Sequence, residues 1–170
     1  MINVNEILRQ LSVNAQALRH LVESISDVQA QWKPDAETWS LQEVMEHFYN
    51  EERIDFRKHL KEMFSEPPQP WGKFNPAEYV TVKSCRQALE GFLTEREASI
   101  VWLKELKSPN WEAASKASFG PEEVLVLRAG DVLTSWVAHD FLHLRQVNEL
   151  LYAWNEKQAA PYSVQYAGGW

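Results

Sequence analysis

Asp131-Val132-Leu133-Thr134-Ser135-Trp136-Val137-Ala138-His139-Asp140-Phe141-Leu142-His143-Leu144-Arg145-Gln146-Val147 is the stretch whose reading decides the fold. Val132, Trp136, His139, His143, Val147 and Leu150 recur at three- and four-residue steps, which is the period of one helix face. Asp131 follows Gly130 and suits an N-cap, and the pattern carries on to about Trp154. His139 and His143 stand one turn apart on that face, so their imidazoles project side by side and can grip one divalent ion. Apolar neighbours surround them and point them inward, where unpartnered polar rings would be costly. A pair of hydrogen-bonded core histidines meets the same need, and an HxxxH spacing also arises by chance. Spacing leaves both readings open.

Three further segments share the helical period, and no stretch alternates convincingly with period two. The first runs from about Val4 to Ser24, with Ile7, Leu8, Leu11, Ala15, Leu18, Leu21 and Val22 on one face. The second opens with the capping box Ser40-Leu41-Gln42-Glu43, preceded by Trp39 as a staple. It continues through Val44, His47, Phe48, Glu51, Ile54 and Phe56 to about Phe64. Pro67-Pro68-Gln69-Pro70 stops it, and a long crossover containing Gly72 and Pro76 leads to Tyr79. The third helix spans roughly Val82 to Leu106, before Ser108-Pro109. Between 107 and 130 the pattern is poor. Gly120-Pro121 marks a turn, and Val124-Leu125-Val126-Leu127 reads as a short strand or a buried helical turn. Four helices of about 20 residues make an all-α four-helix bundle, one domain over residues 1–170, of the kind that often houses metals between facing helices.

Composition narrows the function. A length of 170 residues suffices for one apolar core without staples. The net charge of -7, with no basic block to offset it, argues against a nucleic-acid partner. Cys85 is the lone cysteine, which rules out an intramolecular disulfide framework and suits a reducing cytoplasm. Asn3, Asn5, Glu6 and Arg9 interrupt any leader-like run, and no apolar stretch approaches the ~20 residues of a bilayer span. The expectation is a cytoplasmic protein with no membrane partner.

A third ligand must come from another helix, because three protein ligands with one open position is the pattern of a catalytic metal. His47 is the best placed, on the inner stripe Leu41, Val44, His47, Phe48, Glu51, Ile54; His20 and His59 are weaker. Imidazole donors favour zinc, nickel, iron or copper over magnesium or calcium, with zinc and nickel foremost. Glu43, Glu51 and Gln146 lie where they can hold a second ring nitrogen. Trp136, one turn from His139, is the candidate pocket wall. Asp140 is rotated away from His139 and suits a surface pair or a cap. No phosphate loop, activated serine or carboxylate pair stands out, so the sequence names no catalytic side chain.

Trp39-Ser40-Leu41-Gln42-Glu43-Val44-Met45-Glu46-His47 resembles the W-S-x-x-E-x-x-x-H helix of the DinB/YfiT-like superfamily. The run from Arg128 to Gln146, with its histidine pair, resembles the final helix of that family more closely still. The tail Tyr166-Ala167-Gly168-Gly169-Trp170 is similar to family endings. The resemblance implies a bundle of up-down-down-up topology with its second and third helices parallel, joined by a long crossover. It also implies one divalent metal held by His47, His139 and His143. Members with known activity include S-transferases and isomerases that use bacillithiol, mycothiol or glutathione; fold does not fix which reaction applies. The expected function is therefore a metal-dependent enzyme, a thiol S-transferase or hydrolase acting on a small molecule. Arg128 and Arg145 are the cations available to clamp an anionic thiol. The rival is a stress-response protein that binds a metal or apolar ligand without turnover. A homodimer is compatible with either.

Overall fold

Ser40 shows how the sequence fixes a helix start. In the computed structural model, which describes residues 2–69, 71, 76–118 and 124–168, its Oγ accepts from the Glu43 backbone N–H at 3.2 Å. The Glu43 carboxylate in turn accepts from the Ser40 N–H at 2.7 Å. Two orphan donors are thus satisfied at the start of α3 (Leu41–Ile54). Ser40→Ala is expected to lower stability by about 1 kcal/mol, read by urea unfolding; an unchanged midpoint would mean the box does not act as a cap. Asn3, Ser26 and Ser84 cap α1 (Val4–Val22), the short α2 (Asp27–Gln31) and α5 (Cys85–Glu105) in the same way, each accepting from an N–H three residues on.

Two boundaries differ from the sequence reading. The second helix does not run unbroken to Phe64: Asp55, at φ -117° and ψ -98°, divides it into α3 and α4 (Phe56–Phe64). No glycine or proline marks the break. Its origin is tertiary, since α3 packs chiefly on α5 whereas α4 turns toward α6. The last helix, α6 (Ala129–Ala159), begins earlier than Asp131 and extends past Trp154. Asp131 sits inside the first turn rather than at the N-cap, and its carboxylate accepts from the Arg128 N–H at 2.9 Å.

Val124-Leu125-Val126-Leu127 belongs to a strand, not a buried helical turn. The antiparallel pair β1 (Ala114–Ser118) and β2 (Val124–Arg128) sets Ala114 opposite Arg128. Val124, Leu125 and Val126 are exposed, while Leu127 packs on the core. The run lacks alternation because backbone pairing with β1, rather than burial of one face, is what holds it. The Pro70 and Gly72 positions of the crossover, the Gly120-Pro121 turn and the final Gly169-Trp170 lie outside the described residues.

The helix directions follow from who touches whom. Phe48 meets Phe92 and Arg57 pairs with Glu95, so α3–α4 and α5 advance together. Arg96 donates to the Leu11 carbonyl and Arg86 to that of Glu23, so α1 opposes α5. His47 meets His139 while Glu52 meets Trp136, so α3 opposes α6. The end of the crossover is pinned along α3: the Asn50 amide pairs with both backbone groups of Val80, and Glu46 accepts from the Val82 N–H. No helix among the described residues is long and apolar enough to cross a membrane.

The core has two apolar clusters. One gathers Leu18, Val44, Phe48, Ala88, Phe92 and Val147; the other gathers Leu11, Leu60, Leu103, Leu133 and Trp136. Between them, along four helices, lies a layer of buried polar side chains: Asn14, Glu52, Arg96 and Asp140.

Candidate metal centre

His47 sits mid-way along α3, where the helix faces α6, and His139 and His143 answer it from one face of α6. A ligand nitrogen of each ring lies within 4.8 Å of those of the other two. Nε2 of His47 is 3.0 Å from Nε2 of His139. Ligands at about 2.0–2.1 Å from a tetrahedral zinc stand roughly 3.3 Å apart, close to the separation of the His47 and His139 nitrogens, and the His143 nitrogen is near enough to join them. The chemistry of the donor set agrees, for metal binding needs deprotonated imidazoles. Burial first, then the nearness of His143, lowers His47 to about 4. Burial, then His143, His47 and Arg96, lowers His139 to about 3. Nδ1 of His143 lies 2.8 Å from the Gln146 side-chain oxygen. That oxygen only accepts, which puts the proton on Nδ1 and leaves the Nε2 lone pair free for an ion. Of the three outer partners weighed from sequence, Gln146 is in place, and Glu51 lies 3.7 Å from Nδ1 of His47. Burial, and then a hydrogen bond with Asp55, pushes the Glu51 carboxyl up to about 9. Glu43 is occupied by Ser40 and Lys33.

The lowered histidines bear on stability. Above their ordinary value of 6.5 the folded and unfolded chains are both neutral at these rings. As pH falls below 6.5 the unfolded chain takes up protons that the folded one refuses, so stability drops by about 1.4 kcal/mol per pH unit per ring. In chelator, the metal-free protein is expected to lose roughly 4 kcal/mol more between pH 7 and 5 than a His47→Asn/His139→Asn variant. Equal losses in urea unfolding would show that these rings are not held neutral.

The rings are not sealed in the core. All three are only partly buried, which corrects the inward placement read from their apolar neighbours. Phe48 and Phe56 close the inner side, with ring centroids 5.2–5.8 Å from the imidazoles they touch. On the outer side Trp39 lies 5.3 Å from His47 and parallel to His143. Trp39 is 41% exposed, and Leu142, on the turn between the two α6 histidines, is 59% exposed. This flank, beside Trp39 and Leu142, is open to solvent. Trp39, expected as a helix staple, is thus turned toward the histidines.

The remaining sequence candidates go elsewhere. Trp136 is buried beneath Phe56, stacked on it at 5.3 Å, and donates its indole N–H to Glu52. His20 is exposed beside Glu23. His59 is buried against Trp71, between Asp55 and Glu62. Arg128 pairs with Asp131 and Glu112, and Arg145 with Glu149. Asp140 is no surface residue: it is fully buried, its two oxygens taken by the Arg96 guanidinium at 2.8 Å each. Sequence reasoning missed this partnership. The available signal was a charged or amide residue lying on an apolar stripe, as Asn14 does between Leu11 and Leu18, and Glu52 between Phe48 and Phe56.

A family model described as the DinB superfamily matches residues 10–147. The solved structure of YfiT from Bacillus subtilis, described as a probable metal-dependent hydrolase with an unusual four-helix bundle topology, is similar in fold. Its TM-score is 0.70 at 14% identity, covering 88% of this chain and 87% of that one. No curated protein sequence matches the chain.

Proposed function

This chain belongs to the DinB superfamily, and from that premise we propose that it is a metal-dependent enzyme acting on a small molecule, its ion held by His47, His139 and His143. The observation that carries the reading is the convergence of three imidazoles from two helices at a flank that stays open to solvent. A divalent transition metal, zinc or nickel, would supply a Lewis acid there, with a place left over for water or a thiol.

The chain's own groups do the rest. Gln146 fixes the ring of His143, and Phe48 and Phe56 keep water from the inner side. Trp39 and Leu142 offer the apolar part of a substrate a surface at the mouth. Hydrolysis is the favoured reaction. YfiT, described as a probable metal-dependent hydrolase, shares the fold, and both arginines that would clamp an anionic thiol already have acidic partners. Thiol S-transfer is the second reading, favoured by the apolar mouth, which suits an electrophilic substrate. The charge of -7 and the lone Cys85 support a cytoplasmic protein without a nucleic-acid partner. The exposed Phe141 on α6 is compatible with a homodimer.

Protein purified without a tag is expected to carry one equivalent of metal. Loaded with zinc or nickel, it is expected to turn over part of a panel of esters and amides, or to consume a low-molecular-weight thiol in the presence of an electrophile. Stoichiometric metal without any turnover would make it a binding protein of the stress-response kind; no metal would sink the reading altogether.

A further inference from the structure

The two helices that carry the ligands meet through side chains, at the histidine cluster and at the Glu52–Trp136 hydrogen bond, while α3 packs chiefly on α5, and α6 on α1 and α4. Yet His47 must meet His139 and His143 within a fraction of an ångström for one ion to be shared. Packed helices can still shear by small slides along one another. Something directional has to set the register of α3 against α6.

We infer that Arg96 and its buried partners are the positioning device of the metal centre. Arg96, on α5, is 2% exposed. Its two terminal nitrogens bind both oxygens of Asp140 on α6, at 2.8 Å each, and one of them also donates to the Leu11 carbonyl of α1 at 3.0 Å. Its Nε lies 3.0 Å from Glu52 on α3, without the alignment of a hydrogen bond. Trp136 of α6 donates to that same Glu52 oxygen at 3.0 Å. Asn14 of α1 completes the layer by donating to Asp140 at 3.2 Å, its own oxygen held by Gln10.

Position in the chain gives this layer its leverage. Asp140 follows His139 directly, Trp136 precedes it by one turn, and Glu52 lies little more than a turn beyond His47. A shift of α6 along its axis therefore breaks the two-pronged Arg96–Asp140 contact and separates the imidazoles together. A planar guanidinium facing a carboxylate accepts one orientation and one distance, which an aliphatic contact does not demand. Stability alone gives little reason to bury three charges, since ion groups of this kind are often matched or surpassed by apolar side chains of similar volume. Geometry does give a reason.

The inference rests on the three-histidine reading, and the test separates the two. Metal-free protein is titrated with Co(II), read by its d–d absorption, and with zinc by competition. Glu52→Gln/Arg96→Met/Asp140→Asn removes the charges together and is expected to stay folded. Its cobalt binding is expected to weaken by about 10–100-fold, the range seen when groups that orient metal ligands are lost, with an altered d–d band. Asp140→Asn alone should lie between this variant and wild type. Leu18→Ala, a core cavity away from the layer, should lower stability yet leave cobalt affinity within about two-fold, because it moves no oriented group. Wild-type cobalt affinity and spectrum in the triple variant overturn the inference. Should the triple variant not fold, Asp140→Asn decides: affinity no weaker than in Leu18→Ala overturns it, and weaker affinity supports it. Wild-type protein that binds no cobalt, or a His139→Ala variant that binds it as well as wild type, overturns the metal site itself and the positioning role with it.

Discussion

His139→Ala is expected to abolish stoichiometric metal while leaving the bundle folded. The ring supplies the nitrogen nearest to His47, at 3.0 Å, and two ligands on different helices cannot replace a converging set of three. The loss should exceed the ~10–100-fold that removing an outer partner costs; Gln146→Leu, which frees only Nδ1 of His143, should fall in that smaller range. Folding should survive because the ring stands only partly buried at the open flank, and at about pH 7.5 it is neutral in the folded and the unfolded chain alike, so its lowered value neither adds nor removes stability there. Metal analysis after dialysis against a weak chelator, with far-ultraviolet circular dichroism as the folding control, checks the pair. A His139→Ala protein retaining a full equivalent would place the ion elsewhere, whereas a Gln146→Leu loss as large as that of His139→Ala would mean the amide is itself a ligand.

Arg96→Met alone is expected to be among the most damaging single changes to the fold. The methionine fills much of the volume, but Asp140 and Glu52 are then left as buried carboxylates without their cation. Breaking one side of a buried ion group costs about 3–5 kcal/mol, a large part of the ~5–15 kcal/mol that holds a domain together. For a chain of this size that is a fall in Tm of about 6–20 °C. The deficit should also depend on pH. Burial raises the Glu52 carboxyl, and Arg96 is the chief influence pulling it back down. Without Arg96 the carboxyl rises further above its unfolded value, so its penalty is present at high pH and fades as acid protonates it. The gap to wild type should therefore narrow as the pH is lowered. A constant gap would mean that lost packing, not orphaned charge, is responsible.

Much of the fold is legible in single residues. Ser40 and Glu43 announce α3 because their partners are three positions away, and a capping box closes whatever the rest of the chain does. The stripe through Leu11, Ala15 and Leu18 marks the buried face of α1 for the same reason: helix period is local. The break at Asp55 was not legible, since it serves the separate docking of α3 on α5 and α4 on α6. The hairpin was legible only in part, since β2 reads as a short strand or a buried helical turn until β1 pairs with it.

The candidate site divides along the same line. His139 and His143 share a face by spacing alone, so their companionship belongs to the sequence; His47 joins them only because α3 and α6 run in opposite directions at one height. That height is a tertiary fact, and so are the open flank beside Trp39 and the fate of Asp140. A residue one step from a ligand reads as a surface pair until Arg96 arrives from a helix 44 positions earlier to claim it. Local periodicity determined which faces are apolar and where helices start. Only the packed bundle, by bringing distant charges into a dry layer where each must find a partner, decided how those faces are aligned.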